Sequence, residues 1–287
     1  MLHVEIHDDA WSAADAVAAV TQADPLGYTL LATVHAEVVG GVREYPGAVW
    51  LVVVEAGRPV GAAMRTPPQP LYVGPLPMGA APLVADAYAD VLESAGVDAP
   101  SDLNGVNGEA EAARAVARRW QQRFPHVSVR GTVPERLHRL DGLRVPDVPG
   151  EARLATEEDV PLLLPWHHAF AADVGHPVAG IEEMLRVRLG RGALLVWTVD
   201  GEPVSMAGHT GVVAGVARVG PVYTPPQRRR HGYGAAVTAA ASSAALEQPG
   251  ARDVTIFTDL RNPTSNKIYS EIGYRPVRDY EEIVLGM

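Results

Sequence analysis

The second half of the chain carries short apolar runs separated by turns that contain Gly or Pro, a pattern typical of strands. Longer stretches of small and apolar residues between these runs have the length and period of helices. Mixed elements of this kind predict an α/β sandwich of the α+β type with a largely antiparallel sheet. After two initial helices, the predicted order is strand 193–199, strand 203–209, strand 216–224, helix 232–247, strand 253–258, helix 263–272 and strand 277–284.

The first half repeats part of this pattern. Residues 48–64 and 193–209 both consist of an apolar run, a Gly turn and a second apolar run. Matches that recur in the same order along two halves of a chain indicate a duplicated module. The matched positions are Gly57, Pro59 and Val60 with Gly201, Pro203 and Val204, then Val73-Gly74-Pro75 with Val219-Gly220-Pro221, then Asp102-Leu103 with Asp259-Leu260.

The boundary between the two modules is expected in the segment 144–156, where prolines and a glycine interrupt any regular period. We therefore predict a first domain over residues 1–146 and a second over residues 150–287. Each domain is expected to contain a mostly antiparallel mixed sheet flanked by helices.

Composition argues against several classes of function. The chain of 287 residues has a formal net charge of −10 and a pI near 5.4, and nucleic-acid binding needs a basic surface. The absence of cysteine excludes thiolate metal sites and a cysteine nucleophile. We expect no signal peptide, because the first residues lack its basic and apolar regions, and no apolar run is long enough to span a bilayer. We therefore expect a cytoplasmic protein with no nucleic-acid partner and no membrane partner.

The main candidate site is a strand that runs into an Arg- and Gly-rich loop and then into a helix of small residues. Gly232 and Gly234 can direct successive amides toward one point, and they let a phosphate approach without a Cβ in the way. The helix that starts there adds the positive end of its dipole. Pro225 and Pro226 have no N–H and should end strand pairing. The predicted phosphate-binding residues are Arg229, Arg230, His231, Gly232, Tyr233, Gly234 and Ala235.

A second motif lies in residues 259–274. Asn262 is the expected N-cap of a short helix, and Pro263 is its first residue. Ser265 or Asn266, and then Tyr269, follow at helical spacing, so three polar side chains lie on one side of that helix. Capping alone accounts for Asn262, and packing of a buried aromatic ring is the alternative explanation for Tyr269.

The two motifs, in this order, resemble the GNAT superfamily of acyl-CoA-dependent N-acyltransferases. The predicted loop fits that family's pattern of Arg or Gln, two residues, Gly, one residue, and then Gly or Ala. The resemblance implies acetyl-CoA as the cosubstrate, with its pyrophosphate on the loop and no metal. It also implies that Asn262 and Ser265 contribute to the cofactor site. The pantetheine arm would lie along the free backbone of Val222, Tyr223 and Thr224.

The resemblance also implies a chemical role for Tyr269, which would protonate the departing thiolate. A phenol stays protonated near neutral pH and can still give its proton to a strongly basic thiolate. Transfer would be direct, through a tetrahedral intermediate, without a covalent enzyme intermediate.

The acceptor amine must lose a proton before it attacks, because a primary amine is mostly protonated at neutral pH. The sequence leaves the base open. Trp166 and Phe170 are expected to be core residues, with a role in the substrate pocket as the alternative. The candidates for the base, or for holding an ordered water that acts as one, are Glu182, Glu183, Asp259, His209 and the pair His167-His168.

The first half lacks both motifs. No Arg-rich loop follows Val73-Gly74-Pro75, and Pro82 lies at the expected start of the helix. The Asp102 match places Ala112 opposite Tyr269, so no phenol is expected there. The Gly-rich run 104–108 is expected to be a loop. We therefore predict one acetyl-CoA site per chain, in the second domain.

The predicted function is transfer of an acetyl group from acetyl-CoA to an amine of a small-molecule or peptide acceptor. Two alternatives stay open at this point. One is a noncatalytic acyl-CoA sensor or scaffold, and the other is acetylation of a sugar-linked cysteine amine, as in the tandem GNAT enzymes that complete mycothiol. The acceptor pocket is expected to involve residues 161–191, where no residue dictates a ligand.

Overall fold

The computed structural model describes residues 1–175 and 180–287, so part of the expected acceptor segment, residues 176–179, lies outside the described residues. The chain divides into two compact units. The first unit comprises Met1–Arg136, Asp259–Arg261 and Arg278–Met287, and the second comprises Leu137–Thr258 and Asn262–Val277.

The secondary structure follows a repeated order. The first part of the chain forms β1 (Leu2–His7), α1 (Ala14–Ala23), α2 (Thr29–Val39), β2 (Val49–Glu55), β3 (Arg58–Arg65), β4 (Leu71–Val73), α3 (Ala80–Ser94), α4 (Ala99–Asp102), β5 (Gly105–Glu109), α5 (Ala110–Arg123) and β6 (Ser128–Leu140). The second part forms β7 (Glu151–Leu154), a 3₁₀ helix (Glu157–Asp159), α6 (Val160–Val174), α7 (Ile181–Gly190), β8 (Leu194–Val199), β9 (Glu202–His209), β10 (Val216–Tyr223), a 3₁₀ helix (Pro226–Arg228), α8 (Tyr233–Leu246), β11 (Asp253–Asp259), α9 (Pro263–Glu271) and β12 (Tyr274–Gly286).

The two units have the same pattern of strand directions. In the first unit β1, β2, β3 and β4 pair antiparallel in that order, and β4 then pairs parallel with β5. In the second unit β7, β8, β9 and β10 pair antiparallel, and β10 pairs parallel with β11. This agreement confirms the prediction of two modules, each with a mostly antiparallel mixed sheet flanked by helices.

The last strand of the chain does not follow chain order. Within the first unit, residues 280–284 of β12 pair antiparallel with residues 105–109 of β5. The two compact units are therefore not continuous segments of sequence. The predicted domain boundary, 1–146 against 150–287, stays a prediction.

The second unit has an apolar cluster on each face of its sheet, because alternate residues of a strand point to opposite faces. Leu195 and Trp197 of β8 belong to the cluster that contains α8 and α9 residues. Leu194 and Val196 belong to the cluster that contains Leu163 of α6 and Leu185 of α7. The helices α6 and α7 thus cover one face of this sheet, and α8 and α9 contribute to the core on the other.

Two expectations for the first half are wrong. The Gly-rich run 104–108 is not a loop, because most of it forms β5. Gly105 has no room for a side chain, because the backbone of another strand passes close to it. A Cβ on Gly105 would lie 2.7 Å from Ile283 O. The match of Asp102 with Asp259 is also not structural, because Asp102 ends a short helix and Asp259 ends a strand.

Two searches of the residues that the structure describes were negative. No helix among them is long and apolar enough to cross a membrane. Within residues 1–175 and 180–287, no cluster of three or more His, Asp or Glu side chains could hold a metal ion.

Candidate active site

The candidate site begins where β10 and β11 stop pairing. Their parallel register runs from Val216↔Asp253 to Val219↔Ile256, yet β10 continues to Tyr223 and β11 to Asp259. The register of β10 against β9 also shifts after Val219. In the described structure, the edge of β10 that faces β11 therefore has no strand partner at Val222 and Tyr223. We call this opening the β10–β11 gap. The residues that are predicted to bind the pantetheine arm lie along this unpaired edge of β10.

Side chains fix the end of β10. The Ser205 hydroxyl donates to the carbonyl of Tyr223 at 2.9 Å and lies 2.8 Å from the Thr224 hydroxyl. The Thr224 carbonyl accepts from the Arg229 guanidinium at 2.9 Å. Thr224 is also close to the start of α8, because a Cβ on Gly234 would lie 3.2 Å from its hydroxyl. These contacts bring the predicted pantetheine strand and the predicted phosphate loop together.

We call residues 229–235, which are predicted to bind a phosphate, the phosphate loop. This loop presents three amides in the first turn of α8. Gly232 is the N-cap of α8 with a φ of +83°, a value that favours glycine. The first hydrogen bond of the helix runs from Ala236 N to Gly232 O at 3.0 Å, so the amides of Tyr233, Gly234 and Ala235 precede it. Such amides, together with the helix dipole, form a ready anion site.

The loop arginines have different surroundings. Arg228 pairs with Glu202 at 3.2 Å, and Arg229 pairs with Asp173 at 3.1 Å. Arg230, with a φ of +67°, has no ion-pair partner within the described ranges. His231 stacks on Tyr233 with ring centroids 5.4 Å apart. Arg229 therefore holds the loop in place, and Arg230 is the arginine whose charge is available to an anion.

The helix α9 starts as predicted. The Asn262 side chain accepts from Ser265 N at 3.1 Å, as an N-cap does. Asn266 donates to the Asn262 carbonyl at 2.7 Å and accepts from Thr258 at 2.8 Å. The Asn262 side chain is therefore engaged in capping, and its place in a cofactor site stays a prediction.

Tyr269 is buried on the inner side of α9. Only 8% of the residue is exposed, and its ring lies edge-on to Tyr274 with centroids 6.2 Å apart. Burial raises the pKa of Tyr269 to about 12, and a hydrogen bond with Ser265 opposes that rise. The phenol therefore keeps its proton at neutral pH. Tyr269 belongs to the apolar cluster against which Val222, Tyr233 and Ala235 pack, so both motifs of the sequence border one cluster.

The candidate bases differ in availability. Glu182 pairs with Arg186 at 3.0 Å. Asp259 pairs with Arg261 at 2.9 Å, and this hydrogen bond lowers the pKa of Asp259.

Burial lowers the pKa of His209, whose Nδ1 lies 3.1 Å from the Thr210 carbonyl. Glu183 and His168 are exposed, and His167 is buried. Trp166 and Phe170 are both partly buried against the α6–α7 cluster.

The first unit keeps part of the phosphate loop. Gly79 is the N-cap of α3 and has the same φ of +83° as Gly232. However, the amide of Ala80 already donates to Pro77 O at 3.1 Å, and Pro82 has no N–H. Fewer donors therefore remain at the start of α3 than at the start of α8.

The first unit differs from the second beside the end of β4. All three residues of β4 pair with β5, and this pairing stops at Val73, the match of Val219, where a Cβ on Gly108 would collide with Val73 O. Just beyond β4, the ring of Tyr28 occupies the space where Gly74 would carry a Cβ, at 2.2 Å. The Tyr28 hydroxyl donates to Pro75 O. The side chain of Tyr28 thus fills the space beside Gly74, whereas the described residues leave the corresponding space beside Gly220 open.

The loop that carries Tyr28 is held firmly. Its Gly27 carbonyl accepts from Tyr72 at 3.3 Å and from Tyr280 at 2.8 Å. Asp24 of the same loop pairs with Arg278 at 2.6 Å. We call residues 24–28 the plug loop.

The first-unit counterpart of Tyr269 is not Ala112, as the sequence match predicted. The Glu109 side chain caps α5 by accepting from Ala112 N, just as Asn262 caps α9 by accepting from Ser265 N. Counting from the two caps, Tyr269 corresponds to Val116, which is fully buried. Val116 has no hydroxyl, so the first unit lacks a phenol at the position of Tyr269.

Sequence reasoning missed the residues that support the site. Asp173 pairs with Arg229, Ser205 binds the end of β10, and Val148 lies where a Cβ on Gly232 would be 2.8 Å away. None of these residues lies near its partner in the sequence. Only a three-dimensional arrangement identifies them.

Comparison with known proteins agrees with this geometry. The sequence model described as the acetyltransferase (GNAT) family matches residues 157–274, a segment that contains the phosphate loop and Tyr269. This segment is therefore a GNAT acetyltransferase domain. A sequence comparison with curated proteins found no significant match.

Solved structures share the whole fold at low sequence identity. A GCN5-related N-acetyltransferase from Sphaerobacter thermophilus is 17% identical with a TM-score of 0.62, over 100% of this chain and 97% of that one. A GNAT-family acetyltransferase from Colwellia psychrerythraea is 11% identical with a TM-score of 0.62, over 98% of both chains. A tandem GNAT protein from the clavulanic acid biosynthesis pathway is 14% identical with a TM-score of 0.57, over 99% of this chain and 97% of that one. At these identities the likeness shows the fold alone.

Proposed function

We propose that this protein transfers the acetyl group of acetyl-CoA to the amine of a small-molecule or peptide acceptor, and that the second unit carries out this reaction. The observation that carries the proposal is the β10–β11 gap beside three free amides and a buried tyrosine. The amides of Tyr233, Gly234 and Ala235, with Arg230, would bind the pyrophosphate. The backbone of Val222, Tyr223 and Thr224, beside the β10–β11 gap, would pair with the amides of the pantetheine arm.

The proposed chemistry is a direct transfer. The free amine nitrogen forms a bond to the thioester carbonyl carbon, and the tetrahedral intermediate collapses as the carbon–sulfur bond breaks. Tyr269 gives its proton to the departing sulfur, and the nitrogen loses one proton to water. Water then returns a proton to Tyr269. The raised pKa of Tyr269 keeps this acid loaded throughout the neutral range.

The test is release of free CoA thiol from acetyl-CoA, measured with and without a panel of amines. We expect amine-dependent release, and we expect Tyr269→Phe to lower turnover by roughly 10²–10⁴. Acetyl-CoA affinity should change little in this variant, because the phenol acts on the sulfur only during the reaction. Tyr274→Phe is the matched control, since it removes the neighbouring buried phenol.

Unchanged turnover in Tyr269→Phe would remove this tyrosine from the acid role. Tight acetyl-CoA binding without turnover of any amine would favour the sensor or scaffold alternative.

A further inference from the structure

The sheet of the first unit ends in a strand with one unpaired edge. Within residues 1–175 and 180–287, β1 pairs with β2 and with no other strand, so the backbone groups along its outer edge have no strand partner. Such an edge is a template for a further strand, and proline, lysine or a bulge commonly protects it. The sequence of β1, LHVEIH, has no proline or lysine, and its register against β2 runs without a shift. β1 can therefore accept a further strand.

The two faces of β1 carry different side chains. Leu2 and Val4 pack against the apolar cluster that contains residues of α3, and Ile6, on the same face, is 47% exposed. His3 and Glu5 lie on the opposite face, where both side chains are exposed and His3 Nε2 lies 3.5 Å from a carboxylate oxygen of Glu5. The strand thus has an apolar row with one uncovered member, and a polar row in which an imidazole is followed by a carboxylate.

The strand is complementary to a second copy of itself. When two copies of β1 pair antiparallel about Val4, His3 of each copy faces Glu5 of the other. Each imidazole then has one carboxylate beside it on its own strand and another across from it. The four groups form a ring in which no two neighbours are alike. On the other face, Leu2 of one copy covers the exposed Ile6 of the second copy.

Other antiparallel registers lose this complementarity. A shift of one residue would place the apolar row of one strand beside the polar row of the other. A shift of two residues would place Glu5 opposite Glu5, or His3 opposite His3. Like charges directly opposite each other destabilise a strand pair. The pattern of side chains therefore favours the register that is centred on Val4.

We propose that β1 is a dimerisation surface, through which two copies of this chain associate by pairing their β1 strands antiparallel about Val4. The proposal does not depend on the acetyl transfer. The contact consists of one short strand pair, which is smaller than a standard protein–protein interface. We therefore expect a weak dimer, with a Kd on the order of 10–100 μM.

The first test is sedimentation equilibrium over a range of protein concentrations. The average mass should rise from that of one chain, 30.5 kDa, toward that of two. Glu5→Lys and His3→Glu should each raise the Kd by roughly tenfold, because each removes the complementary pair twice per dimer. The double variant His3→Glu/Glu5→Lys should regain the original Kd, since it reverses the ring without breaking it. Glu151→Lys makes the same charge change on the exposed strand β7, so it is the control and should leave the Kd unchanged.

The second test determines the register of the pair. The chain has no cysteine, so a single introduced cysteine is its only thiol. Val4→Cys should form a disulfide-linked dimer on mild oxidation, because this residue faces its own copy across the two-fold axis. Ile6→Cys is the matched control, since its two copies would lie about 14 Å apart, beyond the reach of a disulfide. Thermal unfolding checks that each variant keeps its fold.

Restored association in the double variant, with cross-linking at Val4→Cys and not at Ile6→Cys, is the expected result. A single chain at every concentration would overturn the proposal, and so would a dimer whose Kd is the same in His3→Glu and Glu5→Lys as in the original protein. Equal cross-linking of the two cysteine variants would also overturn it, because the contact would then not be centred on Val4.

Discussion

At the scale of single residues, adjacent side chains of the same type have different surroundings. Arg228, Arg229 and Arg230 follow one another in the loop, yet the first two are ion-paired and the third is not. The local sequence gives no reason to distinguish these three arginines. The difference arises from Glu202 and Asp173, which are distant in the sequence and are brought to the loop when the chain folds.

This difference predicts unequal effects on acetyl-CoA binding. Arg230→Ala should raise the Kd by roughly ten- to a hundredfold, the range for losing a charged hydrogen bond. Arg228→Ala is the matched control, because it removes the same charge from the same loop. Calorimetric Kd values for the two variants decide the matter, and equal losses would show that only the overall charge of the loop counts.

At the scale of elements, the same helix start occurs twice with different consequences. Gly232 begins α8 and Gly79 begins α3, both with a φ of +83°. A valine at either position is strained to a similar extent, because a β-branched residue rarely adopts this conformation. Only at Gly232 would the new side chain also meet Val148 and stand beside the free amides.

We therefore expect Gly232→Val to weaken acetyl-CoA binding by roughly tenfold or more, and Gly79→Val to leave binding unchanged. Thermal unfolding of both variants separates strain from loss of the site, since both should be destabilised. If Gly79→Val weakened binding as much as Gly232→Val, the start of α8 would not be the phosphate site.

Much of the element scale could be predicted from the sequence, because the signals are local. The cap at Asn262 and the proline after it define the start of α9, and the turn at Gly201 separates β8 from β9. The strand β5 was missed, since its glycines resemble those of a loop. They are there because a Cβ on Gly108 would collide with Val73 O, a contact no local pattern encodes. The plug loop was missed for the same reason.

At the scale of the whole molecule, the folded chain contains several tyrosines that resist ionisation. Burial raises the pKa of Tyr269 and Tyr280 to about 12, and it also raises the pKa of Tyr28, Tyr88 and Tyr274. A tyrosine in the unfolded chain ionises near pH 10, and the folded state holds these protons to higher pH. The stability that these tyrosines contribute is complete below about pH 10. It is lost as the pH rises from there toward their pKa values in the folded protein.

We therefore expect the free energy of unfolding to fall steeply above about pH 10, by about 1 kcal/mol per buried tyrosine at about pH 11. Denaturant unfolding at several pH values measures the fall, and tyrosinate absorbance follows ionisation in the same samples. Tyr269→Phe should make the slope shallower. Ionisation of all tyrosines near pH 10 in the folded protein would contradict this prediction.

At the same scale, the two compact units are not continuous segments of the chain, so one cut in the sequence does not separate them. Residues 278–287 belong to the first unit, although they follow α9 of the second. A strand's own sequence predicts that it is a strand, but not which strand it pairs with. Tyr280 and Arg278 of this segment hold the plug loop, so the last strand of the chain helps to keep Tyr28 beside Gly74.

The central claim is that one chain has one acetyl-CoA site, formed by the β10–β11 gap and the start of α8. Its most direct test is calorimetric titration of acetyl-CoA into the folded protein, with stoichiometry as the readout. We expect one site per chain, with weaker binding in Gly232→Val and unchanged binding in Gly79→Val. Two sites per chain would show that the first unit also binds acetyl-CoA, and no binding at all would contradict the account.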